Sequence, residues 1–145
     1  MEFSRAKILV LVAGSAMREQ IRDTLAEAQL ASEIVICKSL EEAKQHLSTT
    51  RFDLILTDNI DNIPDLQTHV TPAPFIVPVL REYDPNLIQQ ASELHLRDYL
   101  LLDQLDDIVL HRTVRFALYE GEYFADLMYD MLENSADGMI VLNDE

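Results

Sequence analysis

The strongest constraint on this chain is a series of five short apolar runs set apart by polar, helix-like stretches. The runs are Lys7–Ala13, Glu33–Lys38, Phe52–Thr57, Phe75–Leu80 and Tyr99–Leu102. The first is continuous rather than alternating. A strand with one wet face alternates apolar and polar residues, so a continuous run reads as a strand covered on both faces, as in a parallel sheet. Between the runs the period changes. Met17, Ile21, Leu25 and Ala28 recur at four- and three-residue steps, which predicts an amphipathic helix over Ala16–Ala28 with Ser15 as its N-cap. Ser39-Leu40-Glu41-Glu42 reads as a capping box opening a second helix that runs to about Leu47. Leu87, Ala91 and Leu94 share one face of a helix over Asn86–Leu96. Asn59–Pro74 carries Pro64, Pro72 and Pro74, which confines a third helix to roughly Asp65–Val70. The order β-α-β-α-β-x-β-α-β-α predicts an α/β fold, a doubly wound parallel sheet with right-handed crossovers and helices on both faces.

Length and charge narrow the function. At 145 residues the chain fits one domain plus a short extra element. It carries 11 basic and 26 acidic side chains, so 11 − 26 gives a net charge of −15. That charge opposes a sequence-independent grip on nucleic acid and docking to anionic membranes. It is also uneven. Residues 1–97 hold 9 basic and 14 acidic groups, a net of −5, whereas residues 98–145 hold 2 and 12, a net of −10. The single cysteine, Cys37, lies in an apolar run and reads as a buried strand thiol. It allows no internal disulfide, which fits a reducing, cytoplasmic setting. Ile8–Ala13 is too short for a signal core or a membrane span. Three glycines, Gly14, Gly121 and Gly138, leave no Gly-rich phosphate loop of the Walker or dinucleotide type.

Leu105–Glu133 has no proline and one glycine, and as a helix it would extend roughly 43 Å. A five-stranded sheet is covered by about half of that, so the remainder is expected to project. Leu110, Val114, Ala117, Gly121, Phe124, Met128 and Met131 alternate four and three residues apart, a heptad seam. The expected dimer seam is Leu110, Val114, Ala117, Phe124, Met128 and Met131, with two copies parallel. The alternative is one long helix packed wholly on its own sheet.

Three stretches resemble the receiver domains of two-component response regulators. Lys-Ile-Leu-Val-Leu-Val at 7–12, with Arg22-Asp-Thr-Leu25 ten residues on, looks like a receiver's first strand and helix. Phe-Asp-Leu-Ile-Leu-Thr-Asp at 52–58 looks like the third strand ending in the phosphoacceptor aspartate. Asp-Tyr-Leu-Leu at 98–101 looks like the fifth strand. The resemblance covers about residues 6–118 and implies a flavodoxin-like (βα)5 sheet of order 2-1-3-4-5, with Asp58 at the phosphoacceptor position. Leu132–Glu145 resembles the opening of a PAS sensory domain. The expected organisation is a receiver-like core over 1–104, a final helix acting as linker or coiled coil over 105–134, and the start of a PAS-like domain over 135–145, within a longer multidomain signalling protein.

The resemblance also shows what is missing. A working receiver has two acidic side chains after the first strand that help to hold Mg²⁺. Here those positions are Val12 and Ala13. The Ser or Thr at the end of strand four is Val79, preceded by Pro78. The Lys ending strand five is Leu102, and the proline that follows it is Asp103. No acidic residue lies between Lys7 and Arg18 to repair a slip in register. Asp58, Asp61 and Asp65 bring only negative charge toward a phosphoryl group.

Other candidates are weaker. His46, His69, His95 and His111 are isolated, without metal-like spacing. Ser15 lacks the Gly-x-Ser-x-Gly context of a nucleophile. Arg81, Glu82 and Asp84 read as a solvated loop. The sequence therefore predicts a non-enzymatic regulatory domain, a degenerate receiver that works through protein contacts and homodimerisation, with no cofactor or metal. Its partners are other proteins or sensory and output domains of the same polypeptide. Two alternatives stand beside it. One is a receiver phosphorylated on Asp58, with Mg²⁺ held by unusual groups such as Asp61. The other is a flavodoxin-like module that binds a small ligand.

Overall fold

The structure, a computed structural model, describes residues 6–29, 33–70, 74–96 and 98–118. Its sheet has five parallel strands: β1 (Lys7–Leu11), β2 (Glu33–Cys37), β3 (Leu54–Thr57), β4 (Phe75–Leu80) and β5 (Leu100–Leu101). They lie in the order β2-β1-β3-β4-β5, the flavodoxin-like arrangement. The continuous apolar runs have the expected cause. Ile8, Leu9, Val10, Leu54, Ile55 and Leu56 are completely buried, so both faces of the central strands are covered.

Each sheet face has its own core. On one, Ile8, Val10, Leu54, Leu56, Val77 and Val79 pack with Met17, Ile21 and Leu25 of α1 (Ser15–Ala28). The last helix, α5, described over residues 107–118, adds Leu110, Val114 and Ala117 to the same cluster. On the other face, Leu9, Leu11, Ile55 and Ile76 meet three helices: α2 (Leu40–Thr49), α3 (Ile63–His69) and α4 (Pro85–Glu93).

This packing corrects three positions of the expected dimer seam. Leu110, Val114 and Ala117 are 0%, 1% and 5% exposed, all inside the domain's own core. An apolar stripe of period 3.5–3.6 serves equally for pairing two helices and for laying one helix on a sheet. Here the sheet takes these positions. Phe124, Met128 and Met131 lie outside the described residues, as does the PAS-like segment.

Local sequence chemistry explains the element ends. Ser39 caps α2 as expected, its Oγ accepting the Glu42 N–H at 3.2 Å, and the Glu42 carboxylate accepts the Lys38 N–H at 3.0 Å. Ser15 is not the cap of α1. That place belongs to Gly14, without a side-chain acceptor, and Ser15 is the first helical residue. The third helix is short, as its prolines require, but starts at Ile63 after a 3₁₀ turn over Ile60–Asn62, because Pro64 fits a first helical turn. Asp84 is not merely solvated: its Oδ1 accepts the Asn86 and Leu87 N–H groups at 2.9 and 3.4 Å and caps α4. The fifth strand is only two residues long, since Leu102 turns into a 3₁₀ turn over Leu102–Gln104. Among the described residues no helix is long and apolar enough to cross a membrane.

Candidate functional site

The carboxyl ends of the parallel strands meet along one edge, and in open α/β sheets that edge holds the functional groups. Strand register assembles this edge. Leu11 pairs with Thr57, which sets Val12 beside Asp58 one position on. Thr57 also pairs with Pro78, which sets Asp58 beside Val79 on its other flank. Asp58 is thus half-buried at the end of the central strand, between two buried valines. Thr57 beneath it is fully buried, and its Oγ1 accepts the Asn59 N–H at 3.4 Å. Asn59 in turn accepts the Asp61 N–H at 2.9 Å, so the chain turns sharply away after Asp58.

The other candidate acids are directed elsewhere. Asp61 is exposed, and Asp65 forms an ion pair with Lys44 of α2 at 3.9 Å. Leu102 packs half-buried against the core shared by α1 and α5. Its carbonyl accepts the Gln20 amide at 3.1 Å. A lysine at this position would offer an ammonium; leucine offers only packing.

Two arginines lie near this edge: Arg18, which the sequence reading passed over, and Arg81, which it placed in a solvated loop and which is exposed. Arg18, one turn into α1, folds back so that its Nη1 donates to the carbonyls of Val12 at 3.1 Å and Ala13 at 2.8 Å. These are the two residues that the sequence resemblance sets at a receiver's metal-binding acids. Arg81 follows β4, and its Nη2 lies 3.4 Å from where a Cβ on Gly14 would be. β3 lies between β1 and β4, so Arg81 comes near Gly14 from the far side of the central strand. The signal for Arg18 was readable: a basic residue one turn after a strand end reaches back to the strand's last carbonyls.

A divalent metal does not fit this arrangement. Val12 is apolar and completely buried, Ala13 has no donor, and a guanidinium already uses the two backbone carbonyls nearby. Mg²⁺ needs oxygen ligands in near-octahedral array, and among the described residues that the β1–β3–β4 register aligns at this edge, Asp58 is the one side-chain carboxylate.

Of the histidines, His69 is structural: its Nε2 bridges the Ser48 hydroxyl at 3.0 Å and the Lys44 carbonyl at 3.1 Å, tying α3 to α2. His95 sits just past α4 with φ of 64°, at the left-handed turn that ends the helix. His46 is not isolated. Its ring, the Glu42 carboxylate and the Cys37 sulfur lie together on the other side of β2's end.

No protein-family model matches the chain, and no curated protein matches it as a relative. Solved structures do match. A response regulator from Thermotoga maritima has a TM-score of 0.66 at 15% identity, over 79% of this chain and 98% of its own. The signal receiver domain of an HD domain-containing protein from Pseudomonas fluorescens Pf-5 has a TM-score of 0.67 at 20% identity, over 82% and 98%. The chain has the receiver fold. A third match is a fusion that carries a trimeric coiled-coil segment of yeast Spc42, with a TM-score of 0.72 at 18% identity over 99% of this chain and 96% of that one. At these identities the likeness concerns the fold. The residues of the receiver edge must be judged on their own chemistry.

Proposed function

We propose that this chain is a receiver-like regulatory domain that signals through protein contacts, without metal-dependent phosphorylation of Asp58. The observation that carries the reading is the Arg18 guanidinium bound to the Val12 and Ala13 carbonyls. Phosphoryl transfer to an aspartate needs cations that neutralise the transferring oxygens and bridge them to the acceptor. In a receiver a divalent ion bound to acidic side chains provides this. Here Val12 and Ala13 offer no carboxylate, their carbonyls are held by Arg18, and Val79 and Leu102 offer neither hydroxyl nor ammonium.

The reading extends to partners and setting. The receiver fold is generally a signalling module rather than an enzyme, and the domain is expected to act on other proteins or on modules of the same polypeptide in the cytoplasm. Self-association belongs to the reading as well, through positions other than Leu110, Val114 and Ala117, which are already in the core. Like charges oppose such pairing, so it should strengthen as salt screens them. Sedimentation showing only monomer at high concentration and moderate salt removes the dimer from the proposal.

The deciding experiment is incubation with Mg²⁺ and a small phosphodonor, followed by intact mass. The expected result is an unchanged mass. A gain of one phosphoryl group that disappears in Asp58→Ala overturns the proposal in favour of a phosphorelay receiver.

A further inference from the structure

Outside the receiver edge, one cluster of side chains among the described residues has the composition and spacing of a metal site. Cys37 ends the edge strand β2, and Glu42 and His46 stand one turn apart on α2. One ligand atom from each, the Cys37 Sγ, a Glu42 carboxylate oxygen and a His46 ring nitrogen, lie within 4.8 Å of one another. We infer that Cys37, Glu42 and His46 bind a borderline-soft divalent cation of the Zn²⁺ type, with the fourth position open to water.

The donor set selects the metal. Thiolate and imidazole favour Zn²⁺ and its neighbours over Mg²⁺ or Ca²⁺, which take oxygen. Tetrahedral zinc holds sulfur at about 2.3 Å and nitrogen or oxygen at about 2.0–2.2 Å, which places the donors roughly 3.5 Å apart. The three atoms therefore need to close by about 1 Å, a movement within reach of rotamer adjustment in a half-buried glutamate and histidine. The rest of the arrangement suits the task. Glu42 and His46 at i and i+4 point the same way from one helix. The Lys38 N–H donates to the Glu42 carboxylate at 3.0 Å and fixes its position, as hydrogen bonds to metal-ligating carboxylates do. The Cys37 sulfur is screened from water, with its residue 0% exposed, while Glu42 and His46 are partly open to solvent and give the ion a way in.

Binding replaces the thiol proton, which leaves to solvent as the sulfur–metal bond forms. Three protein ligands and one open position describe an exchangeable site rather than a closed structural one. The site also has a route to the receiver edge: the Cys37 carbonyl accepts the Val12 N–H at 3.2 Å, so a shift of Cys37 is felt beside Asp58.

The test is titration of the untagged, reduced full chain with Co²⁺, read by absorption. A saturating 1:1 complex is expected, with a sulfur-to-cobalt charge-transfer band in the near ultraviolet that Zn²⁺ abolishes. Glu42→Gln and His46→Gln are each expected to weaken binding about tenfold or more. Cys37→Ser is expected to remove the band, and circular dichroism checks that each variant is folded. Absence of the band at millimolar Co²⁺ in the folded wild type overturns the site. So does a band that neither Glu42→Gln nor His46→Gln weakens, which would mark a thiol acting alone.

Discussion

Replacing Leu110 by alanine separates two roles for the last helix. Leu110 is 0% exposed and packs in the cluster that contains Ile8, Val10 and Met17. The substitution removes three carbons, worth about 0.8 kcal/mol each in transfer from water. The cavity left behind raises the cost to about 3–4 kcal/mol. A domain of this size has about 5–15 kcal/mol in total, so a large share of its stability is lost. The melting point should fall by roughly 10 °C or more. The assay is urea unfolding followed by circular dichroism at two widely separated protein concentrations. As a core residue Leu110 causes the same loss at both. Ile108, on the same helix but 70% exposed, is the control, and its replacement by alanine should stay within about 0.5 kcal/mol. A Leu110→Ala loss below about 1 kcal/mol, or one that shrinks as concentration rises, refutes the packing argument and restores Leu110 to an interface between copies.

Three further outcomes follow from the local chemistry. Gln29 ends α1 in the left-handed region with φ of 53°, so Gln29→Gly should stabilise the domain by about 0.5–1 kcal/mol in thermal unfolding. Ser39→Ala removes the acceptor of the Glu42 N–H and should cost about 1 kcal/mol by the same measurement. Burial, and then the charge of Glu42, pushes the Cys37 thiol up from 9.0 to about 11. The neutral thiol is favoured in the folded state, so its contribution is complete below about pH 9 and is lost as pH rises toward 11. With a chelator present, the wild type should lose about 1 kcal/mol more than Cys37→Ala between pH 8 and pH 10; parallel curves would show an ordinary thiol.

The fold was readable where the sequence pattern has one physical meaning. Continuous runs such as Lys7–Leu11 and Phe75–Leu80 have to be covered on both faces, and they are. Ser39 with Glu42 marks a helix start because both orphan-donor contacts are local. The reading failed where one pattern has two uses. Leu110, Val114 and Ala117 fit a helix pair and a helix on a sheet equally, and only tertiary packing decides. At the candidate site, the missing acids at Val12 and Ala13 were legible residue by residue. The approach of Arg81 to Gly14 was not, because the sheet order, rather than the chain, brings the ends of β1 and β4 near each other. His46 was passed over for a different reason. Its partners Glu42 and Cys37 are close in sequence, but a mixed sulfur, oxygen and nitrogen set follows no familiar spacing.

The two-residue strand β5 has a mechanical consequence. At one edge of the sheet β2 is held to β1 over five register pairs; at the other, β5 is held to β4 over two. Proline at 78, immediately before those two pairs, has no amide hydrogen to offer either neighbour. Brief local openings should therefore begin on the β5 side, and its amides should exchange with solvent long before those of β1. The last helix follows directly from that strand through the turn at Leu102–Gln104. This helix is therefore joined to the loosest seam through the chain and to the central strands through Leu110 and Val114, and the Gln20 amide on the Leu102 carbonyl ties that seam to the first helix. The β2 side is expected to open last and the β5 side first, so exchange rates should grade across the sheet from one edge to the other.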